Sequence, residues 1–296
     1  MVVQPLPPDI VAIANAKSRR LRELILAPEI LVMPGAWDPL SAILFEHLGF
    51  EAIQGGSAAI AAMLGYPDGE VISREQTVAA TRDIAAAVSV PVNADGEAGY
   101  GGPDETAATL RAFVQAGAAG MNLEDSIPTG PTAAGRGLAT IPDHLEKIAA
   151  VMETKGAHGS EFFVNARVDA FAIMREDPKA ALAEAIKRGN AYAEAGGDCI
   201  FYLGVSDRDA IARLVKEVAA PVSIFAVADT PSVAELQELG VARVSYGSAF
   251  QRAGLAAVKR FAEGIREPQG HVAMREGMTG RELQDILRRP PQDHPG

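Results

Sequence analysis

Residues Val90 to Asp125 read "VPVNADGEAGYGGPDETAATLRAFVQAGAAGMNLED" and hold the pattern that repeats along the chain. It opens with an apolar run, "VPVNAD" (90 to 95), which is too short for a helix and ends in an acid followed by glycine. The spacing then changes: Ala107, Leu110, Phe113 and Val114 recur at helical intervals, and Pro103 stands near the helix start, where its missing N–H costs little. A second apolar run, "AAGMNLED" (118 to 125), completes a strand, helix, strand unit. Within it Asp95 and Glu97 stand two residues apart at the end of a buried run, although burying charge is costly unless something pairs with it.

Working outward, the same alternation repeats along the chain. Six further runs are "EILVMPG" (29 to 35), "FEAIQGG" (50 to 56), "EFFVNARVD" (161 to 169), "GDCIFYLG" (197 to 204), "APVSIFA" (220 to 226) and "ARVSYGS" (242 to 248). All are fairly rich in Val, Ile or Phe and end in glycine, a polar residue or a turn, as buried parallel strands do. Between the sixth and seventh, Ile211, Leu214, Val215 and Val218 have helical spacing behind Ser206, which reads as the cap with Asp209 three residues on. Eight such units predict an α/β fold, a (β/α)8 TIM-type barrel; a doubly wound open sheet is the competitor and would not need so many regular units. An extra helix is expected over 8–26, inside an N-terminal segment 1–28. Segment 266–296 is expected to hold a C-terminal helix and a loose tail, "RRPPQDHPG". No linker is visible, so one domain over 1–296 is expected.

A formal net charge of −11 argues against a nucleic-acid partner, which needs clustered Lys and Arg. One cysteine, Cys199, excludes an internal disulfide, and "MVVQPLPPDI" has neither a basic nor an apolar leader region. No window is long and apolar enough to span a bilayer. A soluble, cytoplasmic protein without a membrane partner is expected.

Function in such a barrel sits at the carboxyl ends of the strands. Gly35, Trp37 and Asp38 follow the first, and Gly55, Gly56 and Ser57 the second. Asp95 and Glu97 follow the third, Glu124 and Asp125 the fourth, and Arg167 and Asp169 the fifth. Several carboxylates facing one space raise one another's pKa unless a cation is present. His47, His144, His158, His271 and His294 all fall away from strand ends, which excludes the usual zinc composition and a Ser-His-Asp or Cys-His hydrolase. An oxygen-loving ion, Mg2+ with Mn2+ as its stand-in, fits this inventory.

Structural readings stand beside the functional ones. Asp95 and Glu97 also read as a solvated loop pair, Arg167 as an ion-pair partner of Asp169 or Glu124, and Asp68 in "YPDGE" as a turn residue. Asp38 reads as a helix cap, Gly56 as a strand-to-loop glycine, Trp37 and Phe225 as core, and Tyr100 either as a proton donor or as packing beneath its loop.

The ensemble "PGAWDPLSA", "GGSAAIAAMLGYPD", "PVNADGEAGYGG", "AGAAGMNLEDS" and "FFVNARVDAF", in this order from about Val32 to Ala253, resembles the isocitrate lyase and phosphoenolpyruvate mutase superfamily. The resemblance implies a barrel with Mg2+ holding a 2-oxo acid, commonly as a tetramer that exchanges C-terminal helices. It implies metal binding by Asp95, Glu97 and Glu124, with Asp68 in an outer position. It also implies a substrate cradle at Gly56, Ser57 and Ala58 and an anion-binding role for Arg167; Trp37, Asp38 and Tyr100 complete the candidate site. Two departures matter. After Glu124 the chain reads "DSIPTGPTAAGRGLA", without the Lys, Cys and His of the lyases or the Lys and Asn of the mutase. The sixth strand ends in Tyr202, Leu203 and Gly204 where 2-methylisocitrate lyase carries a glutamate. What survives these losses best is cleavage of a carbon–carbon bond in a small 2-oxo or 2-hydroxy acid through an enolate, as in oxaloacetate decarboxylase. The alternatives are carbon–phosphorus chemistry on phosphonopyruvate or phosphoenolpyruvate, and a non-catalytic ligand-binding barrel.

Overall fold

The computed structural model describes residues 6–129, 135–266, 271–272 and 277–288. Eight parallel staves form the predicted barrel: Leu31–Met33 with its continuation Gly35–Ala36, then Ile53–Gly55, Val92–Asp95, Gly120–Glu124, Phe163–Val168, Cys199–Tyr202, Val222–Phe225 and Arg243–Ser245. The sheet runs from Leu31–Met33 through the eighth, seventh, sixth, fifth, fourth, third and second staves to Gly35–Ala36. Its two ends are therefore one stretch of chain, and the barrel closes on its own first stave across Pro34. Proline has no N–H for the ladder, but the Pro34 carbonyl still accepts from the Gln54 N–H at 2.9 Å. The seam is tight: a Cβ on Gly35 would lie 2.0 Å from the carbonyl oxygen of Gly247.

Helices cover the staves as their apolar spacing dictates. Helix Pro103–Gln115 buries Ala107, Leu110, Phe113 and Val114, the four residues whose spacing predicts it. Its large side chains join Ile148 and Val151 of helix Ile141–His158 over Met121, Leu123 and Val164 of the staves. Each such buried Leu, Ile or Phe contributes roughly 1.5–3 kcal/mol. Helix Arg208–Glu217 buries Ile211 and Leu214, but its cap is Asp207, whose side chain accepts from the Ala210 N–H; Ser206 lies one residue too early for the role the sequence assigned it. The N-terminal helix Pro8–Leu26 covers the amino ends of the staves, packing Leu21, Leu24 and Ile25 with Leu31, Phe163 and Cys199.

One feature departs from the sequence reading. The segment after the fourth stave contains an antiparallel hairpin, Ser126–Thr129 paired with Gly135–Leu138. The C-terminal segment contains helix Gly280–Leu287, while the tail 289–296 lies outside the described residues. Among the described residues, no helix is long and apolar enough to cross a membrane.

The barrel interior carries a polar belt. Arg243 donates to Gln54 Oε1, which also accepts from Asn93 Nδ2 at 2.9 Å; Asn93 Nδ2 and Asn165 Nδ2 both donate to Asn122 Oδ1, at 2.9 and 2.7 Å. Side chains two residues apart on a strand share a face. Gln54, Asn93, Asn122 and Asn165 therefore stand one step beneath Gly56, Asp95, Glu124 and Arg167.

Candidate functional site

The loop after the third stave is held in a strained form. Glu97 and Tyr100 have φ of 48° and 59°, in the left-handed region that side chains with a Cβ seldom adopt, and Glu70 on the neighbouring loop has φ of 57°. The surroundings over-determine this shape, as strain at a working site requires. Glu70 Oε1 accepts from the Ala98 and Tyr100 N–H groups at 2.9 and 3.3 Å, and Lys147 Nζ donates to the Ala98 carbonyl at 2.6 Å. The Glu97 carbonyl accepts from Glu124 N–H at 2.9 Å, tying the loop to the fourth stave.

Asp95, Glu97 and Glu124 are all buried, at 7%, 3% and 1% exposure, so the reading of the first two as a solvated loop pair fails. Asp95 Oδ2 accepts from Ser57, and its Oδ1 accepts from the Glu97 N–H at 3.3 Å. Burial, then the charges of Glu124, Asp95 and Asp68, hold the Glu97 carboxyl well above the usual range. Burial pushes Glu124 up to about 7, although the Arg167 charge pulls it down. Asp68 itself is exposed on its loop.

Arg167 grips Asp169 with Nε and Nη2 at 2.7 and 2.9 Å, and its Nη1 lies 2.5 Å from Glu124 Oε2. Both ion pairs named as the structural reading are thus formed. The Asp169 pair engages two of the five N–H groups that a guanidinium carries. Arg136, which the sequence reading passed over, reaches in from the hairpin: Nη1 contacts Glu124 Oε1 and, at 2.7 Å, Ser126 Oγ, while Nη2 lies 3.6 Å from Glu97 Oε2. Its one sequence signal was being the sole Lys or Arg between Glu124 and Lys147.

Several predicted site residues have other employment. The Asp125 carboxylate turns from the site, as the strand period requires, and accepts from Arg188 Nη1, the Tyr192 hydroxyl and the Asp169 N–H, each at 2.9 Å. Asp38 caps helix Pro39–His47, accepting from the Ser41 N–H at 2.7 Å. Trp37 packs against the apolar cluster around Phe45 and Ile60. The Tyr100 hydroxyl donates to Thr77 Oγ1 at 2.8 Å, and burial raises its pKa, so it holds the loop as packing beneath it would. In the cradle, Gly56 N–H is bound to the Ala36 carbonyl and Ser57 N–H to Asp95, whereas Ala58 N–H, in the first turn of helix Ser57–Met63, has no intrahelical partner.

Among the described residues, no three His, Cys, Asp or Glu side chains form a ready-made metal cluster. The donors nevertheless fit a hard divalent cation. They are all oxygens, two of the acids are pushed up by burial among like charges, and buried Glu124 Oε2 has no hydrogen-bond partner among the described residues despite its ionic contact with Arg167.

The chain shares this architecture with known proteins. The phosphoenolpyruvate phosphomutase family matches residues 21–266. The petal death protein of Dianthus caryophyllus is 38% identical over 71% of this chain, which spans 63% of that protein's length. The 2-methylisocitrate lyase of Bacillus subtilis is 30% identical over 90% of this chain and 88% of its own length. Among solved structures, oxaloacetate acetylhydrolase in complex with 3,3-difluorooxalacetate superposes with a TM-score of 0.81 at 27% identity, covering 91% of this chain and 92% of that one. This chain is a member of the phosphoenolpyruvate mutase family, within the isocitrate lyase and phosphoenolpyruvate mutase superfamily.

Proposed function

We propose that this chain is a divalent-metal-dependent lyase that breaks a carbon–carbon bond at C3 of a small 2-oxo carboxylic acid, with oxaloacetate decarboxylation as the leading reaction. The observation that carries this reading is the convergence of three buried acids, Asp95, Glu97 and Glu124, from the ends of two adjacent staves, beside Arg167 from the next. Similarity to enzymes named for oxaloacetate and 2-methylisocitrate supports a small 2-oxo or 2-hydroxy acid as substrate.

In this reading Asp95, Glu97 and Glu124 hold Mg2+ or Mn2+, and Asp68 stands outside them. When bound, the cation supplies positive charge against the negative charge that develops on the 2-oxo group. The open N–H of Ala58, in the helix turn that Ser57 anchors to Asp95, binds the carboxylate next to that group. Arg167, oriented by Asp169, offers its remaining N–H groups to the outer carboxylate. Loss of that carboxylate as CO2 needs no nucleophile and no acid to expel it, only a place for the electron pair and later a proton. This suits a chain whose single cysteine, Cys199, is fully buried with its thiol pushed up to about 12.

Assembly belongs to the same proposal. Helix Ala249–Gly264 buries only Gln251 and leaves Leu255 and Val258 57% and 63% exposed, apolar surface for a second copy of the chain in a homo-oligomer.

The test is pyruvate release from oxaloacetate and from phosphonopyruvate, with and without Mg2+, corrected for the metal-catalysed background, with Glu124→Ala as control. Metal-dependent pyruvate from oxaloacetate that falls by about a hundredfold or more in the variant supports the reading. Pyruvate from phosphonopyruvate alone transfers it to carbon–phosphorus chemistry. Pyruvate from neither refutes it.

A further inference from the structure

The hairpin places one cation where the acids need one. Arg136 Nη1 contacts Glu124 Oε1 and its Nη2 lies 3.6 Å from Glu97 Oε2, so one guanidinium bridges the two most deeply buried acids of the site. Ser126 fixes this position by accepting from Arg136 Nη1 at 2.7 Å while donating to Glu124 Oε1 at 2.9 Å. The loop above closes against the same group: a Cβ on Gly69 would come 3.2 Å from Arg136 Nη2. Arg136 is 25% exposed in its side chain, so an outward path to solvent exists.

A carboxylate oxygen occupied by a guanidinium N–H is not free to ligate a metal. Mg2+ or Mn2+ takes one or two carboxylate oxygens directly and reaches others through its waters, and a fixed positive charge a few ångströms away opposes a second cation. Building on the metal reading above, we propose that Arg136 is an internal counter-cation that competes with the divalent ion for Glu97 and Glu124, so that metal binding displaces its guanidinium from the acids. The hairpin after the fourth stave thus supplies the residue that sets metal affinity.

The experiment uses the full chain stripped with EDTA and measures Mn2+ binding by calorimetry for the unaltered protein, Arg136→Gln and Arg136→Lys. Arg136→Gln is expected to bind Mn2+ about tenfold more tightly, because it keeps a polar side chain and loses the charge. Arg136→Lys is expected to stay close to the unaltered protein. In the absence of metal, Arg136→Gln is also expected to melt at a lower temperature, having lost the counter-cation, and to gain more on adding Mn2+. Equal or weaker Mn2+ binding by Arg136→Gln overturns the competition while leaving the metal reading in place. Mn2+ binding by none of the three proteins sinks the metal reading and the competition together.

Discussion

Asp95 Oδ2 accepts from both the backbone N–H and the hydroxyl of Ser57, at 3.2 and 2.9 Å. The acid at the end of the third stave and the first residue of the helix after the second are thereby joined by two hydrogen bonds. In the proposed reaction this couples the acid that holds metal to the helix turn whose Ala58 N–H holds the substrate's carboxylate.

Ser57→Ala removes one of these two bonds from a buried carboxylate. A hydrogen bond to a charged group contributes about 1.5–3 kcal/mol. Urea denaturation is expected to show a loss in that range, and Mn2+ affinity is expected to fall severalfold as Asp95 loses its orientation. Unchanged affinity would separate Asp95 from the metal.

His144 gives the chain an acid-sensitive core. It is fully buried, neither ring nitrogen has a hydrogen-bond partner among the described residues, and its ring lies 4.5 Å from that of Tyr192. Burial, reinforced by the Lys147 and Arg188 charges, lowers its pKa from 6.5 to about 3. The folded state thus keeps the imidazole neutral, whereas the unfolded state takes a proton below about 6.5. This stabilising term is fully present above pH 6.5 and is lost as pH falls towards 3, at up to about 1.4 kcal/mol per pH unit. His144→Phe keeps an aromatic ring and has no proton to take, so its stability is expected to decline less steeply through that window. An unaltered slope in urea titrations would contradict this.

Gln54→Leu tests the polar belt. Gln54 Nε2 donates to the Gly55, Asn93 and Ala94 carbonyls, and its Oε1 accepts from fully buried Arg243, whose Nε and Nη1 have no hydrogen-bond partner among the described residues. Leucine would leave that guanidinium without a hydrogen-bonding side chain among the described residues, at a cost of roughly 1–3 kcal/mol. Gln54→Glu supplies a counter-charge and is expected to be tolerated better. A Leu variant within about 1 kcal/mol of the parent would mean that other groups satisfy Arg243.

Why some of this was readable follows from the physics of each element. The staves of a closed parallel barrel are buried on both faces, so each stood out as a short apolar run, and Leu110, Phe113 and Val114 announced their helix by spacing alone. Asp95, Glu97 and Glu124 were readable because acids at the ends of buried strands are costly and rare. Arg136 was not, because its reach depends on a hairpin whose sequence, "SIPTGPTAAGRGL", has no alternation of apolar and polar residues. Asp125 adjoins Glu124 in sequence, yet the strand period turns it to the opposite side. The belt did leave a trace: Gln54, Asn93, Asn122 and Asn165 are amides inside otherwise apolar runs, each two residues before a site residue.

The central claim, that these acids form a divalent cation site, is tested most directly by anomalous diffraction from crystals of the unaltered protein soaked in Mn2+. A single strong manganese peak within ligand distance of Glu124 and of Asp95 or Glu97, absent in Glu124→Ala crystals, is the predicted result. No peak there at millimolar Mn2+, or a peak only at distant surface carboxylates, would contradict the account.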